Sequence, residues 1–364
     1  MATKSKVVES SFRLGAGRYI QENGAVSLVG EEIVRLGCKK TFVMGGRTAL
    51  SLTKDKIEKS LENSNIEGIF YTYEGFCSKA HCADIQSTRL DDCDVIVGVG
   101  GGNVCDAAKL LAAYSNLPVI TIPTSSATCA AYTPLSVCYN DIGQTVGTVH
   151  HKCEVNCVLA DMDILCRQPV RLALAGIYDA LAKIYEINQR LLGKNEADID
   201  IGLMSSYKLS LFACDFLDRN KEQFCKDIAE GNDTKIVYDT IYIAIALTGV
   251  ISGLARGSNQ TAIAHKVYET SRSLFPKEVY GFLHGEMVAI GLIAQIYYNG
   301  EGNEKEFADI MRSLGMPTSI HDLGLPNNEE TLNAYYQKIV DSSAMAGTND
   351  EEKKKLLVAL KSIL

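Results

Sequence analysis

Residues 94–106 read Asp-Val-Ile-Val-Gly-Val-Gly-Gly-Gly-Asn-Val-Cys-Asp. The first half of this stretch is rich in β-branched residues and predicts a short buried strand. Residues 104–114 are rich in alanine and leucine and predict a helix, and residues 118–123 form a second β-type run. A strand, a helix and a strand within about thirty residues are typical of a βαβ unit, and therefore of a parallel sheet.

Three consecutive glycines, Gly100, Gly101 and Gly102, connect the predicted strand to the predicted helix. Glycine lets the backbone approach a pyrophosphate closely, and a helix N-terminus offers unpaired amide groups and a positive dipole end. Asp106 in the first helical turn suits that dipole and could also hydrogen-bond a cofactor amide. The spacing departs from the G-x-G-x-x-G fingerprint. A turn that needs only flexible residues is the alternative, but three glycines favour a dinucleotide site.

The two halves of the chain differ in their pattern. Residues 41–44 add a further short strand to the first half, whereas β-type runs become rare from Asp161 onward. We therefore expect an α/β dinucleotide-binding domain over residues 1–160 and an all-helical domain over residues 161–364, with the ligand site in the cleft between them. The predicted helices of the second half cover residues 169–192, 204–217, 236–254 and 286–298.

Composition places the chain among soluble globular proteins, because 46% of its 364 residues are hydrophobic, 22% are charged, and the net charge is −8. The sequence has no block rich in lysine and arginine, so nucleic acid is not expected as a partner. The apolar stretch 241–255 is shorter than the roughly 18–20 residues that span a bilayer. It predicts a buried helix, and no membrane association is expected.

The N-terminus and the cysteines indicate the compartment. Residues 1–11 carry no apolar run, which argues against a secretory signal. The 12 cysteines are scattered and lack the C-x-x-C spacing of structural zinc sites, so we expect them to be reduced packing residues. A reducing cytoplasm is therefore the expected location.

One carboxylate and two histidines of the second half are candidate site residues. Asp179, His265 and His284 lie within or at the start of largely apolar helical segments. A buried carboxylate is costly unless it is paired or binds a metal. One carboxylate with two imidazoles suits zinc or iron, with coordination positions left open for substrate. A structural role is also compatible with each residue, because their separation is too long for a local motif.

Five segments share their order and spacing with a known family: residues 100–109 (Gly-Gly-Gly-Asn-x-x-Asp-x-x-Lys), 123–137, 175–182, 262–265 and 284–289. Through them the chain resembles the iron-containing alcohol dehydrogenase superfamily, and within it the glycerol dehydrogenase branch, over roughly residues 12–323. The resemblance implies a Rossmann-like α/β N-terminal domain and an all-α C-terminal domain, a fold shared with dehydroquinate synthase. It also implies NAD or NADP, one divalent metal, a small alcohol, polyol or hydroxy acid as substrate, and a homo-oligomer.

The resemblance assigns roles to individual residues. It implies that Asp179, His265 and His284 bind the metal and are catalytic through it, since the metal acts as a Lewis acid. Lys183 stands where the four-ligand iron enzymes have a further histidine, which favours three ligands and zinc over iron. Predicted cofactor contacts are Gly101, Gly102, Asn103 (where the family usually has lysine), Asp106, Thr124, Thr133, Leu135 and Tyr139.

The substrate stays open between two classes. Cys129 occupies the position of an aspartate that grips a substrate hydroxyl in glycerol dehydrogenases, and a thiol cannot replace a carboxylate acceptor. Residues 127–137 resemble hydroxycarboxylate dehydrogenases, which reduce 2-oxo acids, and the loss of a carboxylate suits an anionic substrate. A dehydroquinate synthase-like lyase is the alternative of another class, but Lys183, Arg256 and Lys266 are too few to hold a phosphorylated, carboxylated sugar acid.

Overall fold

The computed structural model describes residues 13–364. Residues 1–12 lie outside the described residues, and with them the predicted lack of a secretory signal and the start of the predicted first domain. The described strands are β1 (Tyr19–Glu22), β2 (Lys40–Gly45), β3 (Glu67–Thr72), β4 (Val95–Gly100), β5 (Val119–Pro123), β6 (Leu135–Tyr139), β7 (Thr145–His150) and β8 (Cys157–Asp161).

The described α-helices fall into two groups. The first half contains α1 (Val29–Arg35), α2 (Arg47–Asn63), α3 (Lys79–Thr88) and α4 (Gly102–Ser115). The second half contains α5 (Met162–Leu165), α6 (Val170–Leu191), α7 (Ile201–Glu230), α8 (Lys235–Tyr242), α9 (Thr248–Ala255), α10 (Ile263–Leu274), α11 (His284–Asn299), α12 (Glu304–Ser313), α13 (Glu329–Val340) and α14 (Asp350–Lys361).

Six strands form one parallel sheet in the order β1-β8-β5-β4-β2-β3. The strands predicted from residues 41–44, 94–99 and 118–123 are β2, β4 and β5, which lie side by side near the middle of the sheet. Their residues are almost all buried, as expected for strands that are covered on both faces. Gly100 at the end of β4 lies opposite Pro123 at the end of β5, so the loops that follow begin next to each other.

Helices cover both faces of the sheet. On one face, α1 and α2 bury Ile33 and Ile57 against Val97 and Ile120 of the strands. On the other face, α4 buries Leu110 in a core that continues into the helices of the second half. This layered arrangement confirms the predicted Rossmann-like α/β fold of the first half.

A hairpin formed by β6 and β7 lies outside the main sheet and was not predicted from the sequence. The two strands pair antiparallel, with a register shift at Cys138/Tyr139. The chain then returns to the main sheet as β8, which pairs with both β1 and β5. The hairpin therefore interrupts the βαβ order and forms a wall beside the carboxyl ends of β4 and β5.

From Met162 onward, the structure describes helices without strands. The predicted helices 169–192, 204–217 and 286–298 correspond to α6, α7 and α11, although α7 extends to Glu230. The predicted helix 236–254 is the continuous run of α8 and α9, which are joined by a π-helical segment at Ile243–Leu247. The all-α character of the second half is confirmed, and the domain boundary at residues 160/161 stays a prediction.

The helical run Lys235–Ala255 is long and apolar enough to cross a membrane by length and composition alone. However, 67% of its apolar window is buried inside the described part of the protein. Ile241, Ile245 and Ile251 belong to the core that is shared with the helices of the second half. This burial fits the core helix that the sequence predicts at residues 241–255.

The 12 cysteines of the chain all lie in the described residues as free thiols, and most of them are buried. Cys105 and Cys166, for example, lie in the main hydrophobic core. A buried free thiol packs as a small apolar group.

Candidate active site

A cavity of about 1,180 Å³ lies between the α/β half and the helical half. Its walls are the loop between β4 and α4, the loop after β5, the β6–β7 hairpin and the helices α6, α10 and α11. Ligands of parallel α/β sheets bind at the carboxyl ends of the strands, which is where this cavity opens. It exceeds the roughly 300–1,000 Å³ of common ligand pockets and is therefore large enough for two small molecules together.

The glycine loop forms one end of this cavity. Gly101 is the N-cap residue of α4, and both Gly101 and Gly102 line the cavity. A Cβ atom at Gly102 would lie 2.7 Å from the Thr128 Oγ1 atom, so the close approach of the next loop requires glycine here. The N-terminus of α4 thus presents its first amide groups to the cavity, as a phosphate-binding helix does.

The side chain of Asn103 holds a neighbouring loop. Its Oδ1 atom accepts a hydrogen bond from the Cys77 amide at 2.6 Å, and its Nδ2 atom donates to the Gly75 carbonyl at 2.7 Å. Gly75 and Phe76 line the cavity next to Asn103. Asn103 therefore shapes the cavity wall through its side chain and borders the cavity itself.

Asp106 and Lys109, one turn apart on α4, tie the helix to the loop after β5. The Lys109 Nζ atom lies 2.8 Å from Asp106 Oδ1 and donates to the carbonyls of Ala130 at 2.6 Å, Thr133 at 2.9 Å and Leu135. The second oxygen of Asp106 accepts from the Val137 amide. Burial raises the pKa of Asp106 in spite of the nearby lysine. Sequence reasoning gave no role to Lys109, although it belongs to the motif at residues 100–109.

Most of the predicted cofactor contacts share this one cavity. Thr124 is the exception, since it does not line the cavity and its amide donates to the Gly100 carbonyl at 3.1 Å. The predicted cofactor residues that line the cavity are Gly101, Gly102, Asn103, Asp106, Thr133, Leu135 and Tyr139.

The three candidate metal ligands meet at the same cavity. Asp179 on α6, His265 on α10 and His284 at the start of α11 each offer a ligand atom, and these atoms all lie within 4.8 Å of one another. The Nε2 atom of His265 and the Nε2 atom of His284 each lie 3.3 Å from the Asp179 Oδ1 atom. Asp179 and His265 are only 3% and 7% exposed, whereas His284 is more open to the cavity.

Glycines allow the three helices to come this close. A Cβ atom at Gly285, next to His284, would lie 2.0 Å from the Ala175 carbonyl oxygen of α6. A Cβ atom at Gly291 would lie 2.4 Å from the Ala264 carbonyl oxygen of α10. The backbone of α11 therefore touches both neighbouring helices, and this contact brings His284 to Asp179 and His265.

The donor set fits a divalent metal. The Asp179 Oδ1 atom is buried and has no well-aligned hydrogen bond, although two imidazole nitrogens lie near it. Tetrahedral ligands at about 2.0–2.1 Å from a zinc ion are separated from one another by about 3.3 Å, which matches both nitrogen–oxygen distances. Burial would raise the pKa of Asp179, but contacts with His265 and His284 and the charge of Lys183 lower it well below its usual range. The aspartate is therefore ionised, as a candidate metal ligand must be.

Glu186 fixes the orientation of His265, and sequence reasoning missed it. Its Oε2 atom lies 2.6 Å from His265 Nδ1, and its Oε1 atom accepts hydrogen bonds from the backbone amides of Ala262 and His265. A carboxylate on one imidazole nitrogen leaves the other nitrogen free to bind a metal. A signal was present, because Asp179, Lys183 and Glu186 follow each other at helical i, i+4, i+7 spacing within an apolar helix.

Two further side chains complete the environment of the three candidate ligands. Cys129 lines the cavity, and burial together with the charge of Asp179 raises the pKa of its thiol to about 12, so it is neutral at physiological pH. The ring of Tyr268 packs edge-on against His284, with 4.2 Å between ring centroids. The hydroxyl of Tyr268 lies 2.6 Å from that of Tyr139, which connects a predicted cofactor residue to a predicted metal ligand.

Sequence comparison identifies relatives of the chain. The model of the iron-containing alcohol dehydrogenase family matches residues 16–162. Hydroxycarboxylate dehydrogenase A of Escherichia coli (strain K12) is 28% identical, over 87% of this chain and 86% of its own length. A glycerol dehydrogenase of Thermotoga maritima is 26% identical, over 90% of this chain and 89% of its own length. These relatives confirm the resemblance predicted from the motifs.

Structural comparison agrees with this result. The crystal structure of glycerol dehydrogenase from Schizosaccharomyces pombe matches the protein with a TM-score of 0.82 at 23% identity, covering 96% of this chain and 90% of that chain. This likeness confirms the predicted fold, an α/β half followed by a helical half.

Proposed function

We propose that this relative of the iron-containing alcohol dehydrogenases is an oxidoreductase that transfers hydride reversibly between NAD(P) and the CH–OH group of a small alcohol or hydroxy acid. The observation that supports this function best is the meeting of Asp179, His265 and His284 in the cavity that the glycine loop opens. A non-catalytic nucleotide-binding module would leave this buried donor set without a purpose.

The residues of the chain have distinct roles in this proposal. Asp179, His265 and His284 would hold one divalent metal, with zinc favoured because Lys183 replaces a fourth histidine. The cofactor would lie along the glycine loop and the loop after β5, within reach of Gly101, Gly102, Thr133, Leu135 and Tyr139. When bound, the metal supplies Lewis-acid polarisation of the substrate oxygen and the nicotinamide supplies or accepts the hydride.

The protein itself orients the candidate metal ligands and excludes water from one side of the reaction centre. Glu186 keeps the Nε2 atom of His265 directed at Asp179. Lys109 holds the loop of residues 130–135 against α4, which fixes the cavity wall that faces the ligands. Burial of Asp179 and His265 excludes water from one side of the reaction centre, so the charges there act in a low dielectric.

We expect 2-hydroxy and 2-oxo acids to be better substrates than glycerol. Cys129 gives the cavity a neutral thiol where glycerol dehydrogenases have a carboxylate, so a polyol lacks one strong acceptor and an anion meets less repulsion. A relative named hydroxycarboxylate dehydrogenase A matches most of the chain. Glycerol or another polyol is the second candidate, because relatives named glycerol dehydrogenase match it over similar lengths. A cytoplasmic homo-oligomer stays a prediction.

The function is tested by following the absorbance of the reduced nicotinamide with purified protein of known metal content. We expect turnover with NAD or NADP that depends on the bound metal. His265→Ala should lose the metal and the activity together, because one of three ligands is removed, while the circular dichroism spectrum keeps its helical form. His321→Ala, which changes an exposed histidine outside the cavity, is the matched control. A His265→Ala variant with full metal and full turnover would contradict the proposed site.

The substrate class is tested with Cys129→Asp. The new carboxylate can accept hydrogen bonds from a polyol and repels an oxo acid, so the ratio of kcat/KM for glycerol to kcat/KM for 2-oxobutanoate should rise at least about tenfold. Cys129→Ser, which adds no charge, is the control and should change this ratio far less. If the wild-type enzyme oxidises glycerol but leaves 2-oxo acids untouched, the interpretation of Cys129 is wrong.

A further inference from the structure

Lys183 lies inside the reaction centre. It follows Asp179 by one turn of α6, is only 4% exposed and lines the cavity. Its Nζ atom lies 3.5 Å from the Nε2 atom of His265, the nitrogen that faces Asp179. Within the described residues, this ammonium group has one further hydrogen-bond contact, the Gln260 carbonyl, also at 3.5 Å. Both distances are long for hydrogen bonds, so the two contacts are weak.

Within residues 13–364, no carboxylate forms a direct ion pair with Lys183. Asp179 and Glu186 are near, but Asp179 faces two imidazoles and Glu186 is bound to His265. Lys109 is a useful contrast, because its equally buried ammonium group is saturated by Asp106 and three carbonyls. A buried ammonium group without a direct partner is costly. Lys183 thus keeps capacity to bind an anion.

The proposed metal strengthens this argument. A divalent ion held by His265 would place a second positive charge close to Lys183, and two cations at short range repel each other in a low dielectric. An anion that lies between them removes this repulsion. The substrate is the species that enters at this point, since the cavity joins Lys183, His265 and Cys129.

We propose that Lys183 binds the carboxylate of a 2-oxo or 2-hydroxy acid and thereby selects this class of substrate. The proposal rests on the proposed function and names its substrate class. In a 2-oxo acid, the carboxylate is bonded directly to the reacting carbon. The group that binds it must therefore lie next to the group that receives the carbonyl oxygen, and Lys183 lies next to His265.

The reaction balances without any chemistry at Lys183. Hydride from the reduced nicotinamide forms the new C–H bond at the carbonyl carbon, and a proton from solvent completes the hydroxyl group. The oxo acid is reduced to the hydroxy acid and the nicotinamide is oxidised. Lys183 takes no part in bond making or breaking and acts as a specificity-determining residue.

Lys183→Met tests this role, because methionine keeps the length of the side chain and removes the charge. Oxamate, an unreactive analogue of pyruvate, is titrated into the metal-loaded enzyme with reduced cofactor and followed by calorimetry. We expect Lys183→Met to weaken oxamate binding by roughly 10- to 100-fold. The ratio of kcat/KM for 2-oxobutanoate to kcat/KM for uncharged 2-butanone should fall by a similar factor. Lys183→Arg, which keeps the charge, should recover part of the oxamate affinity.

Lys221→Met is the matched control. Lys221 is also a buried lysine on a helix, but it lies outside the cavity and is already paired with Asp218 at 3.2 Å, so its loss should leave the oxamate affinity near that of the wild type. The metal content of each variant is measured by mass spectrometry. An equal loss for 2-oxobutanoate and 2-butanone, or a lost metal, would overturn the proposal and show a supporting role for Lys183. Unchanged oxamate affinity in Lys183→Met would also overturn it.

The experiment separates this proposal from the proposed function. A wild-type enzyme that reduces uncharged ketones with nicotinamide but neither reduces 2-oxo acids nor binds oxamate refutes the role of Lys183 alone. A wild-type enzyme that carries out no nicotinamide-dependent reaction with any substrate of either class refutes the proposed function, and the role of Lys183 with it.

Discussion

The side chain of Glu186 connects α6 to the start of α10. It lies on α6, yet both of its oxygens contact the start of α10, through the imidazole of His265 and the amides of Ala262 and His265. Burial would raise the pKa of Glu186, but the charge and hydrogen bond of His265 and the charge of Lys183 lower it. Glu186 is therefore ionised, and in the proposed site it would position His265 for a metal.

Glu186→Gln should lower the metal affinity about 10- to 100-fold, since loss of a carboxylate behind a ligand histidine has effects of this size. Glutamine keeps an oxygen for the backbone amides, so the start of α10 should stay in place. Zinc affinity is measured by competition with a chromophoric chelator. Glu301→Gln, which changes an exposed carboxylate bound to Asn188, is the control and should bind zinc as the wild type does. Equal zinc affinity in both variants would show that Glu186 does not support metal binding.

Some residues of the candidate site were predicted from the sequence and others were not. The three candidate metal ligands were selected from sequence because the family resemblance ties together positions that are far apart in the chain, and the structure places them close to one another. Glu186 was missed although it shares a helix face with Asp179 and Lys183, because that spacing does not show which residue of α10 it meets. Asn103 was predicted to contact a cofactor, and its sequence position gave no sign that its amide group holds Gly75 and Cys77.

At the scale of elements, the approach of α11 to α6 and α10 depends on Gly285 and Gly291. Gly285→Ala would force a Cβ atom against the backbone of Ala175, and backbone cannot rotate away as a side chain can. We expect a loss of about 1–3 kcal/mol of stability. A weaker zinc affinity should accompany it, because His284 moves with the start of α11.

The measurements for Gly285→Ala are the melting temperature and the zinc affinity. Gly17→Ala is the matched control, since the nearest atom to its Cβ would be 3.4 Å away and the site lies far from the metal ligands in sequence. The helix contact has no role in the site if Gly285→Ala melts and binds zinc as Gly17→Ala does.

Elements differ in how well the sequence predicts them. β2, β4 and β5 were predicted because each is an apolar, β-branched run buried on both faces. The hairpin strand β7 was missed because most of its residues are exposed or half-buried, so no run of apolar residues marks it. β8 was also not predicted. It is short, and it becomes a strand by pairing with β1 and β5, which lie far away in sequence.

At the scale of the whole molecule, the strand β8 ends where the predicted domain boundary falls. Asp161 closes β8, and its carboxylate accepts hydrogen bonds from the amides of Gly24, Val26 and Asp163. This carboxylate therefore joins the segment that follows β1 to α5, the first helix of the second half. The cavity lies between these halves, which explains why the site needs residues from almost the whole chain.

Removal of the proposed metal should lower the stability of the protein, because the metal would connect three helices. Asp179, His265 and His284 belong to three helices, so one ion would link α6, α10 and α11 and bind the native state alone. A ligand at about 1,000 times its Kd stabilises the native state by about 4 kcal/mol, so dialysis against a zinc chelator should lower the melting temperature by several degrees.

Added zinc should restore the melting temperature, whereas magnesium, which prefers oxygen ligands, should not. The zinc-dependent stability should weaken as the pH is lowered, because protons compete with the ion for the imidazole nitrogens. A protein that melts at the same temperature with and without zinc, at neutral pH, has no ion joining these helices.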